Sequence, residues 1–303
     1  MAEASDRVSR ILALLADVLE SPGADLPSTR LLLRPHLKRL LVHLKDRAGI
    51  PSHWSGEQLL AELFESRLVQ TLRLDDVSPR VPENRFVLVG FGENQGDLNP
   101  LELLQVHAHQ GTVCYFSALM VHELTTQTVA HHHISTPVTP SHPSPDTPQR
   151  LEESAKSPPL GNWQFTFRGT PYYSTRRDAR YLSDSQRREL DKKSWFRVTS
   201  LEQTLLDTLH RPMSCGGLTV VFDAWEAALL RINGNRLIKL LRTSHDHKLA
   251  RRVGFMADKI ALPVAVEVHS LAEQWGAFKE PAVSLFVGIP YTTLDSRWNL
   301  RVP

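Results

Sequence analysis

The stretch Ser55-Gly-Glu-Gln-Leu-Leu-Ala-Glu-Leu-Phe64 decides how the N-terminal part of this chain is interpreted. Ser55 followed three residues later by Gln58 forms a capping box, and leucines at helical spacing come directly after it. These residues predict a helix that begins just after Ser55 and buries its leucine face. Leu68–Leu74 and Arg85–Val89 then alternate with the period of β-strands, and turn-forming residues separate them.

Two further helices are predicted before this one. Residues 3–19 carry apolar side chains at three- and four-residue spacing, and Ser28 or Thr29 caps a segment that runs to about Arg47. Pro35 falls inside the second segment, so that helix alternatively begins there, because proline is tolerated in a first helical turn. The outer face of this segment is basic, with Arg30, Arg34, Lys38, Arg39, Lys45 and Arg47.

Three helices followed by a strand pair is the element order of a winged helix-turn-helix domain. We therefore expect the third helix to be a recognition helix and the loop near Arg80 to be a wing. The residues expected to enter the major groove of DNA are Ser52, His53, Ser55 and Gln58. The residues expected to contact the phosphate backbone beside it are Arg67, Arg80 and Arg85.

The composition limits the classes of protein to consider. The chain has 303 residues and 41 % of them are apolar, which suits about two domains with buried cores. No run of apolar residues is long enough to span a membrane, and the first ten residues carry charges where a signal peptide is apolar. Cys114 and Cys215 are too far apart for a CxxC metal or redox site. We expect a cytoplasmic protein without a membrane partner.

The formal net charge of +2 hides a polarised chain. Residues 1–99 hold 12 Lys and Arg against 14 Asp and Glu, and residues 100–159 hold 2 against 5. Residues 160–303 hold 21 against 14. A basic region of this kind indicates a polyanionic partner.

The rest of the chain predicts a second, mixed region. Residues 139–159 hold six prolines and no aromatic residue, which is typical of a flexible insertion. The predicted helices are 101–110, 117–124, 201–209, 218–232, 236–242 and 245–257, and the predicted strands are 128–138, 163–167, 195–198 and 284–289, with an extended tail at 298–302. The predicted domains are a winged-helix-like 1–97, connecting elements 98–138, the insertion 139–159 and a C-terminal domain 160–303. The expected fold class is α+β, an N-terminal winged helix-turn-helix followed by a mixed α/β domain.

A basic tract lies in the C-terminal region, interleaved with Tyr172, Tyr173, Tyr181 and Trp195. Side chains of this charge neutralise phosphates and release counterions, which gives affinity for nucleic acid without sequence preference. The alternative is a solvated helix whose acidic residues pair locally. The tract comprises Arg176, Arg177, Arg180, Arg187, Arg188, Lys192 and Lys193.

No pattern in the sequence predicts catalysis, a metal site or a cofactor. Seven of the 14 histidines lie between His107 and His142. Consecutive residues on a strand point to alternate faces, so residues 131–133 cannot all reach one ion. There is no GxSxG nucleophile elbow and no glycine-rich phosphate loop. Glu267-Val-His269 is a weak match to a nuclease strand that lacks the lysine, so we expect no catalytic residue, although a metal-dependent nuclease stays a minor alternative.

Several segments between residues 100 and 303 closely resemble the AbiEi antitoxin family. Their order and spacing match the family's Val-Thr-Ser-x-Glu-x-Thr-Leu-Leu-Asp segment, its Gly-Gly step, its Leu-Ala-x-Arg-x-Gly segment and its basic Arg-Trp ending. A helix resembling the family's Ser-x-Leu…His-Gly-Leu helix precedes them, with Glu123 in place of the usual glycine. The segments are Ser117–Leu124, Arg197–Leu209, Arg211-Pro212, Gly216-Gly217, Leu249–Phe255 and Arg297–Val302.

The resemblance implies a function as well as a fold. AbiEi proteins join an N-terminal winged helix to a mixed C-terminal domain, bind inverted repeats in their own promoter and repress it. They also neutralise a nucleotidyltransferase toxin, AbiEii, in a type IV toxin–antitoxin system that is tied to phage defence. The resemblance therefore implies double-stranded operator DNA and a cognate nucleotidyltransferase toxin as partners. The alternative is an interaction module that counters a partner without specific DNA binding.

The residues themselves indicate a structural role for most of these segments. Glu202 lies in the first turn of a predicted helix capped by Thr199 or Ser200, where the helix dipole favours a carboxylate. Asp207 lies five residues later on another face, too far away to form a catalytic pair with Glu202. We expect this segment to be a core-and-cap element, and Trp225 and Trp298 to be packing anchors.

Overall fold

A computed structural model describes residues 2–19, 25–90, 95–139, 161–286, 289 and 291–303. The fold is mixed α+β, which confirms the predicted class. The helices are α1 (Ala2–Leu19), α2 (Arg34–Leu44), α3 (Gly56–Glu65), α4 (Pro100–His107), α5 (Tyr115–Val121), α6 (Leu201–His210), α7 (Leu218–Ala228), α8 (Gly234–Ser244), α9 (His247–Lys259) and α10 (Ala265–Gln274). The strands are β1 (Leu31–Leu33), β2 (Val69–Thr71), β3 (Asp76–Val77), β4 (Phe86–Val89), β5 (Thr112–Val113), β6 (His132–Val138), β7 (Asn162–Phe167), β8 (Thr170–Asp178), β9 (Ser185–Asp191), β10 (Ser194–Thr199), β11 (Val283–Ser284), β12 (Thr293–Asp295) and β13 (Leu300–Val302).

The chain divides into two compact units, each made of segments that are distant in sequence. Unit 1 comprises residues 1–110, 164–169 and 187–196, and unit 2 comprises residues 111–163, 170–186 and 197–303. The unit boundaries fall inside β7, β9 and β10. The predicted domain limits at residues 97, 138 and 159 stay predictions, and residues 140–159 of the proline-rich insertion lie outside the described residues.

Unit 1 is built on three helices and a small antiparallel sheet. The strand order in this sheet is β1-β4-β2, with Leu31 opposite Leu88 and Val69 opposite Val89. The apolar stripes of α1, α2 and α3 pack together with the inner face of the sheet. The fully buried members of this core include Leu37, Leu41, Leu60, Leu63 and Val87.

The second predicted helix starts later than residue 28 or 29. Leu31–Leu33 form β1, and α2 begins at Arg34 with Pro35 in its first turn. The alternative start at the proline is therefore confirmed. Pairing with β4 buries Leu31 and Leu32 almost completely, which outweighs the helical propensity of a leucine-rich segment.

Unit 2 places helices around a sheet and an apolar core. Within the unit, β6 pairs in parallel with β8 along its whole length and antiparallel with β5. Val113 of β5 pairs in parallel with Val198 of β10. A separate C-terminal sheet has the order β11-β13-β12. Trp225 and Trp298 are fully buried in the core, as predicted for packing anchors.

Three predictions for unit 2 are corrected by the structure. The basic tract spans the end of β8 and the whole of β9 and contains no α-helix, so the helix of the solvated-helix alternative is wrong, whereas the local pairing that it expected is present between Arg187 and Glu189 at 3.0 Å. The predicted helix 218–232 ends at Ala228 and residues 229–231 form a turn, after which Asn233 caps the next helix by accepting a hydrogen bond from the Arg236 amide at 3.1 Å. Residues 265–274 form α10, for which no helix was predicted.

Candidate nucleic-acid interface

The connection from α2 to α3 presents the four residues that were predicted to enter the major groove. Ser52, His53, Ser55 and Gln58 are all exposed. Gly56 begins α3 where the two helices cross, and a Cβ at this position would lie 2.8 Å from carbon atoms of both Lys38 and Val42. The absence of a side chain at residue 56 therefore allows the close approach of α3 to α2.

The predicted capping box of α3 is confirmed. The Gln58 amide donates to Ser55 Oγ at 3.2 Å, and the Ser55 amide donates to Gln58 Oε1 at 2.8 Å. Both side-chain acceptors are thus occupied within the helix start. This arrangement leaves the Gln58 side-chain amide nitrogen and the Ser55 hydroxyl hydrogen as donors for a ligand.

Helix α3 is acidic, and the preceding helix supplies the positive charge. Its sequence contains Glu57, Glu62 and Glu65 and neither Lys nor Arg. Glu57 pairs with Lys38 and Arg34 of α2, at 2.9 and 3.3 Å, and these hydrogen bonds lower the pKa of Glu57. Arg39 and His43 of α2 and Arg47 in the turn that follows are also exposed.

The three arginines predicted to contact the phosphate backbone beside the recognition helix have different environments. Arg67 and Arg80 are exposed, and Arg67 follows α3 with a left-handed backbone, φ 60°. Arg85 is half-buried: its guanidinium lies 6.0 Å from the Phe86 ring centre and donates to the carbonyl of His107 at 3.4 Å. Burial lowers the pKa of Arg85.

The basic tract is divided between the two units. Arg176, Arg177 and Arg180 belong to unit 2, whereas Arg187, Arg188, Lys192 and Lys193 belong to unit 1. The sequence prediction treated the tract as one surface, and the structure assigns its two halves to different units. Counted over the folded units, unit 1 holds 17 Lys and Arg against 17 Asp and Glu, and unit 2 holds 18 against 16. The basic excess of residues 160–303 is therefore not a property of one unit.

Arg177 is buried and does not belong to an exposed basic surface. It makes a two-bond ion pair with Asp207 of α6, at 3.0 and 2.5 Å, and its guanidinium lies 5.0 Å from the Tyr115 ring centre. The Asp207 side chain is 0 % exposed. This placement corrects the expectation that Arg177 contacts phosphate, because residues on β8 alternate between the two faces of the sheet and Arg177 follows Arg176 by one position.

Two other arginines of the tract are exposed but already paired. Arg180 contacts Asp178 at 2.8 Å. Arg187 contacts Asp25 and Glu189, each at 3.0 Å, and lies 4.2 Å from the ring centre of Trp195. The remaining members of the tract, Arg176, Arg188, Lys192 and Lys193, keep part or most of their surface in contact with solvent.

A polar network that the sequence did not reveal holds the Lys192–Lys193 turn in unit 1. Glu102 is fully buried and accepts hydrogen bonds from Ser28 Oγ at 2.6 Å and from Arg30 at 2.7 and 3.0 Å. Arg30 also contacts Asp191 at 3.1 Å. The amide of Thr29 donates to the carbonyl of Lys193 at 2.9 Å, so the turn after β9 is fixed beside the start of β1.

The consecutive histidines have structural partners in unit 2. His131 contacts the carbonyl of Ser214 at 3.2 Å, His132 contacts Ser117 Oγ at 3.3 Å, and His133 contacts Thr175 Oγ1. All three imidazoles are buried, and burial lowers their pKa values, to about 4 for His132. Among the residues that the structure describes, no three His, Cys, Asp or Glu side chains form a group that could hold a metal ion.

Two further sequence predictions concern the cysteines and the absence of membrane-spanning helices. Cys114 and Cys215 are both buried and do not form a disulfide with each other, and burial raises the pKa of the Cys114 thiol to about 12. Over the described ranges, we find no helix with the length and apolar character needed to cross a membrane.

Comparisons with known proteins indicate the fold and leave the family open. No protein-family model matches the chain, and no curated protein matches it. Among solved structures, the chain is similar to the crystal structure of the RV2827C protein from Mycobacterium tuberculosis, with a TM-score of 0.53 and 14 % sequence identity. The likeness covers 98 % of this chain and 91 % of that one. A likeness at this identity concerns the arrangement of the elements alone.

Proposed function

We propose that this protein is a non-enzymatic, DNA-binding regulator that resembles AbiEi antitoxins and whose DNA-reading domain is a winged helix in unit 1. The observation that carries the proposal is the element order α1-β1-α2-α3-β2-β3-β4, in which β1, β4 and β2 form one antiparallel sheet in the order β1-β4-β2. In this proposal α2 and α3 are the helix-turn-helix, and residues 72–85 between β2 and β4 are the wing, within which β3 pairs with β7.

The proposed resemblance to AbiEi antitoxins is supported by contacts among the segments that carry it. His122 contacts the carbonyl of Thr199 at 2.7 Å, and Arg252 donates to the carbonyl of Leu209 at 3.4 Å. Gly254 lies against Trp298, where a Cβ would be 2.0 Å from the indole ring. The segments that resemble the family in sequence are therefore neighbours in the core of unit 2.

Backbone conformation adds an independent point of agreement. Glu123 occupies the position where the family has glycine, and its φ is 57°. Gly216 and Gly217, the Gly-Gly step, have φ values of 93° and 94°. Glycine adopts this left-handed region without steric cost, so a family-wide glycine at these positions fits the observed backbone.

DNA contact in this proposal combines base reading from residues 52–58 with positive charge from elsewhere in unit 1. Helix α3 carries only acidic charged residues, so phosphate contacts fall to Arg47 in the turn after α2, to Arg67 and Arg80, and to the turn at Lys192 and Lys193. The amide nitrogen of Gln58 and the imidazole of His53 are the side-chain groups suited to base edges.

The test is binding of the full chain to the DNA upstream of its own reading frame, measured by fluorescence anisotropy against a scrambled duplex. We expect the specific duplex to bind at least about 10³-fold more tightly at physiological salt. Gln58→Glu is the diagnostic variant, because glutamate preserves the capping-box acceptor and removes the amide donor. We expect it to lose specificity without losing stability, while Gln70→Glu on β2 serves as the exposed control. Equal affinity of both duplexes for the parent protein would refute specific DNA binding.

The antitoxin role needs a separate experiment on the whole chain, because a fragment such as 160–303 lacks β5, β6 and α5 of unit 2 and cuts into unit 1. The full chain is co-expressed with a nucleotidyltransferase encoded beside it. Rescue of growth by both the parent and Gln58→Glu would assign the antitoxin activity to residues outside the DNA-reading helix. Failure of the parent to rescue growth would contradict the antitoxin role.

A second candidate function is favoured by the acidic face of α3. Carboxylates at Glu62 and Glu65 are repelled by phosphates, and they suit a basic protein partner instead, as in an interaction module that does not bind DNA. Glu65→Lys separates the two functions. DNA reading predicts tighter DNA binding by this variant, whereas the interaction module predicts weaker co-purification of the partner and no DNA binding in either form.

A further inference from the structure

A cavity lies beside β1 in unit 1. Its volume is about 210 Å³, and its walls are mostly apolar: Leu26, Pro27, Val106 and the leucines at 31–33. An engineered apolar cavity of about 150 Å³ is enough to bind benzene. This β1 cavity therefore has room for a compact ligand whose body is the size of one aromatic ring.

Two imidazoles lie at the edge of the β1 cavity, and the Arg39 guanidinium is near one of them. His36 and His109 line it, and Arg39 follows His36 by one turn of α2. Burial and the neighbouring Arg39 and His109 lower the pKa of His36. A bound carboxylate would offset the positive charge of Arg39 next to this imidazole. Asp25 also lines the cavity, but its carboxylate pairs with Arg187 at 3.0 Å and its carbonyl contacts His109 Nε2 at 2.9 Å.

The start of α2 contributes a further preference for negative charge. The helix begins at the cavity wall without a side-chain cap and without an acidic residue in its first turn. Pro35 has no amide hydrogen, and the Arg34 amide is used by the carbonyl of Arg85 at 2.7 Å. The dipole at the start of a helix favours an anion, and the His36 amide is the first-turn donor of α2 that is neither used by the Arg85 carbonyl nor removed by the proline.

We propose that the β1 cavity binds a small monocarboxylate with an apolar body, its ring or chain against the leucines and its carboxylate between His36, His109 and the start of α2. The site does not depend on the proposed DNA binding, because the cavity and its charges exist whether or not unit 1 reads DNA. If unit 1 does read DNA, a ligand at the start of α2 contacts the first helix of the helix-turn-helix, and its effect on DNA affinity can be measured separately.

The experiment uses the full chain and three probes: benzoate, benzamide and acetate. Benzamide has the shape of benzoate without the charge, and acetate has the charge without the apolar body. Chemical-shift changes of the Leu31–Leu33 amides report binding directly. We expect saturable binding of benzoate with a Kd on the order of 0.1–1 mM, and binding of the two other probes at least about tenfold weaker.

Two variants and one control test the carboxylate contact. Arg39→Gln removes a positive charge and His36→Gln removes an imidazole that can donate a hydrogen bond to the carboxylate, and we expect each to weaken benzoate binding about five- to tenfold. His43→Gln removes an exposed imidazole from the same helix outside the cavity and should leave the affinity unchanged. Equal binding of benzoate and benzamide would overturn the carboxylate site, and so would the absence of saturable binding up to about 10-fold above the expected range. Unchanged benzoate affinity in both variants, with parent-like thermal unfolding, would overturn the assignment to these residues.

Discussion

Arg177 and Asp207, from a strand and a helix of unit 2, form an ion pair that is almost closed to solvent, with 2.5 Å between Nη2 and Oδ1. Burial alone would lower the pKa of Arg177, but the Asp207 carboxylate raises it above its ordinary value. Gln203 donates a further hydrogen bond to Asp207 at 3.0 Å. A residue that the sequence placed among phosphate ligands therefore holds β8 against α6.

Removing one partner of this pair should destabilise unit 2. Arg177→Ala leaves the Asp207 carboxylate buried and unpaired, which costs about 3–5 kcal/mol of unfolding free energy. Arg176→Ala, one residue earlier and open to solvent, should cost less than about 0.5 kcal/mol. Urea unfolding of the two variants measures the difference. Equal unfolding midpoints would show that the Arg177 side chain is not held in the buried pair.

The burial of Arg177 illustrates what the sequence could not provide. The capping box of α3 was predictable, because Ser55 and Gln58 interact across three residues of one helix start. The partner of Arg177 is 30 residues away, and the partner of the Lys193 carbonyl is Thr29. Charge counted along the chain assigned a basic excess to the C-terminal region, whereas folding places five of its cations in unit 1. Such non-local pairings have no local signal in a single sequence.

The contrast between local and non-local interactions also separates the helices of unit 2 that were predicted from those that were not. Ser200 caps α6 within three residues, through Gln203, and this core-and-cap element was predicted. Helix α10 has no side-chain cap and begins at a residue that follows Pro263 and Val264. This helix is stabilised by packing against α9, and that packing forms only when the two helices meet in the folded chain. The candidate site follows this rule too, since the exposure of residues 52–58 was predictable and the pairing of Arg187 with Asp25 was not.

Glu123 occupies a left-handed backbone conformation that costs a non-glycine residue about 1–2 kcal/mol. Because Glu123 is exposed and follows α5, Glu123→Gly should stabilise the protein by about 0.5–1 kcal/mol after the greater chain entropy of glycine is deducted. Glu123→Ala removes the same charge and keeps the Cβ, so it should give little gain. Thermal unfolding of the two variants tests this expectation, which fails if alanine stabilises as much as glycine.

Gly254 should tolerate no side chain while Trp298 is present. A Cβ at residue 254 would lie 2.0 Å from the indole ring, and both residues are buried in unit 2. Gly254→Ala should therefore destabilise the protein by at least about 2–3 kcal/mol. Trp298→Leu makes room for the methyl group, so the double variant should be less destabilised than the sum of the single variants. Strict additivity in urea unfolding would contradict the direct contact.

Acid should destabilise unit 2 through its buried histidines. Burial lowers the pKa of His132 from 6.5 to about 4 and that of His210 well below 6.5. Above pH 6.5 both imidazoles are neutral in the folded and unfolded chains, so their full contribution to stability is present. As the pH falls, only the unfolded chain gains protons, and stability decreases by about 1 kcal/mol per histidine between about pH 7 and pH 5.5.

A ring-preserving variant isolates one of these groups. His210 stacks on Tyr181 with 4.6 Å between ring centres and 7° between the planes. His210→Phe keeps an aromatic ring there and removes the titration, so the loss of stability between about pH 7 and pH 5.5 should shrink by about 1 kcal/mol. The exposed variant His53→Asn should leave the loss unchanged. Parallel pH curves for His210→Phe and the parent would contradict the assignment.

The basic tract is divided between the two units, so the contribution of each half to DNA binding can be measured separately. Lys192 and Lys193 lie at an exposed turn of unit 1, and Arg176 and Arg180 lie in unit 2. If the turn binds phosphates, the double variant Lys192→Ala/Lys193→Ala should weaken specific and scrambled duplexes equally. It should also reduce the slope of log Kobs against log salt by about 1.8, since each phosphate that a lysine neutralises contributes about 0.9 to that slope. The matched variant Arg176→Ala/Arg180→Ala should leave the slope near that of the parent. The reverse result, a flattened slope only in the second variant, would move the phosphate-binding residues to unit 2 and leave the turn without a role in DNA binding.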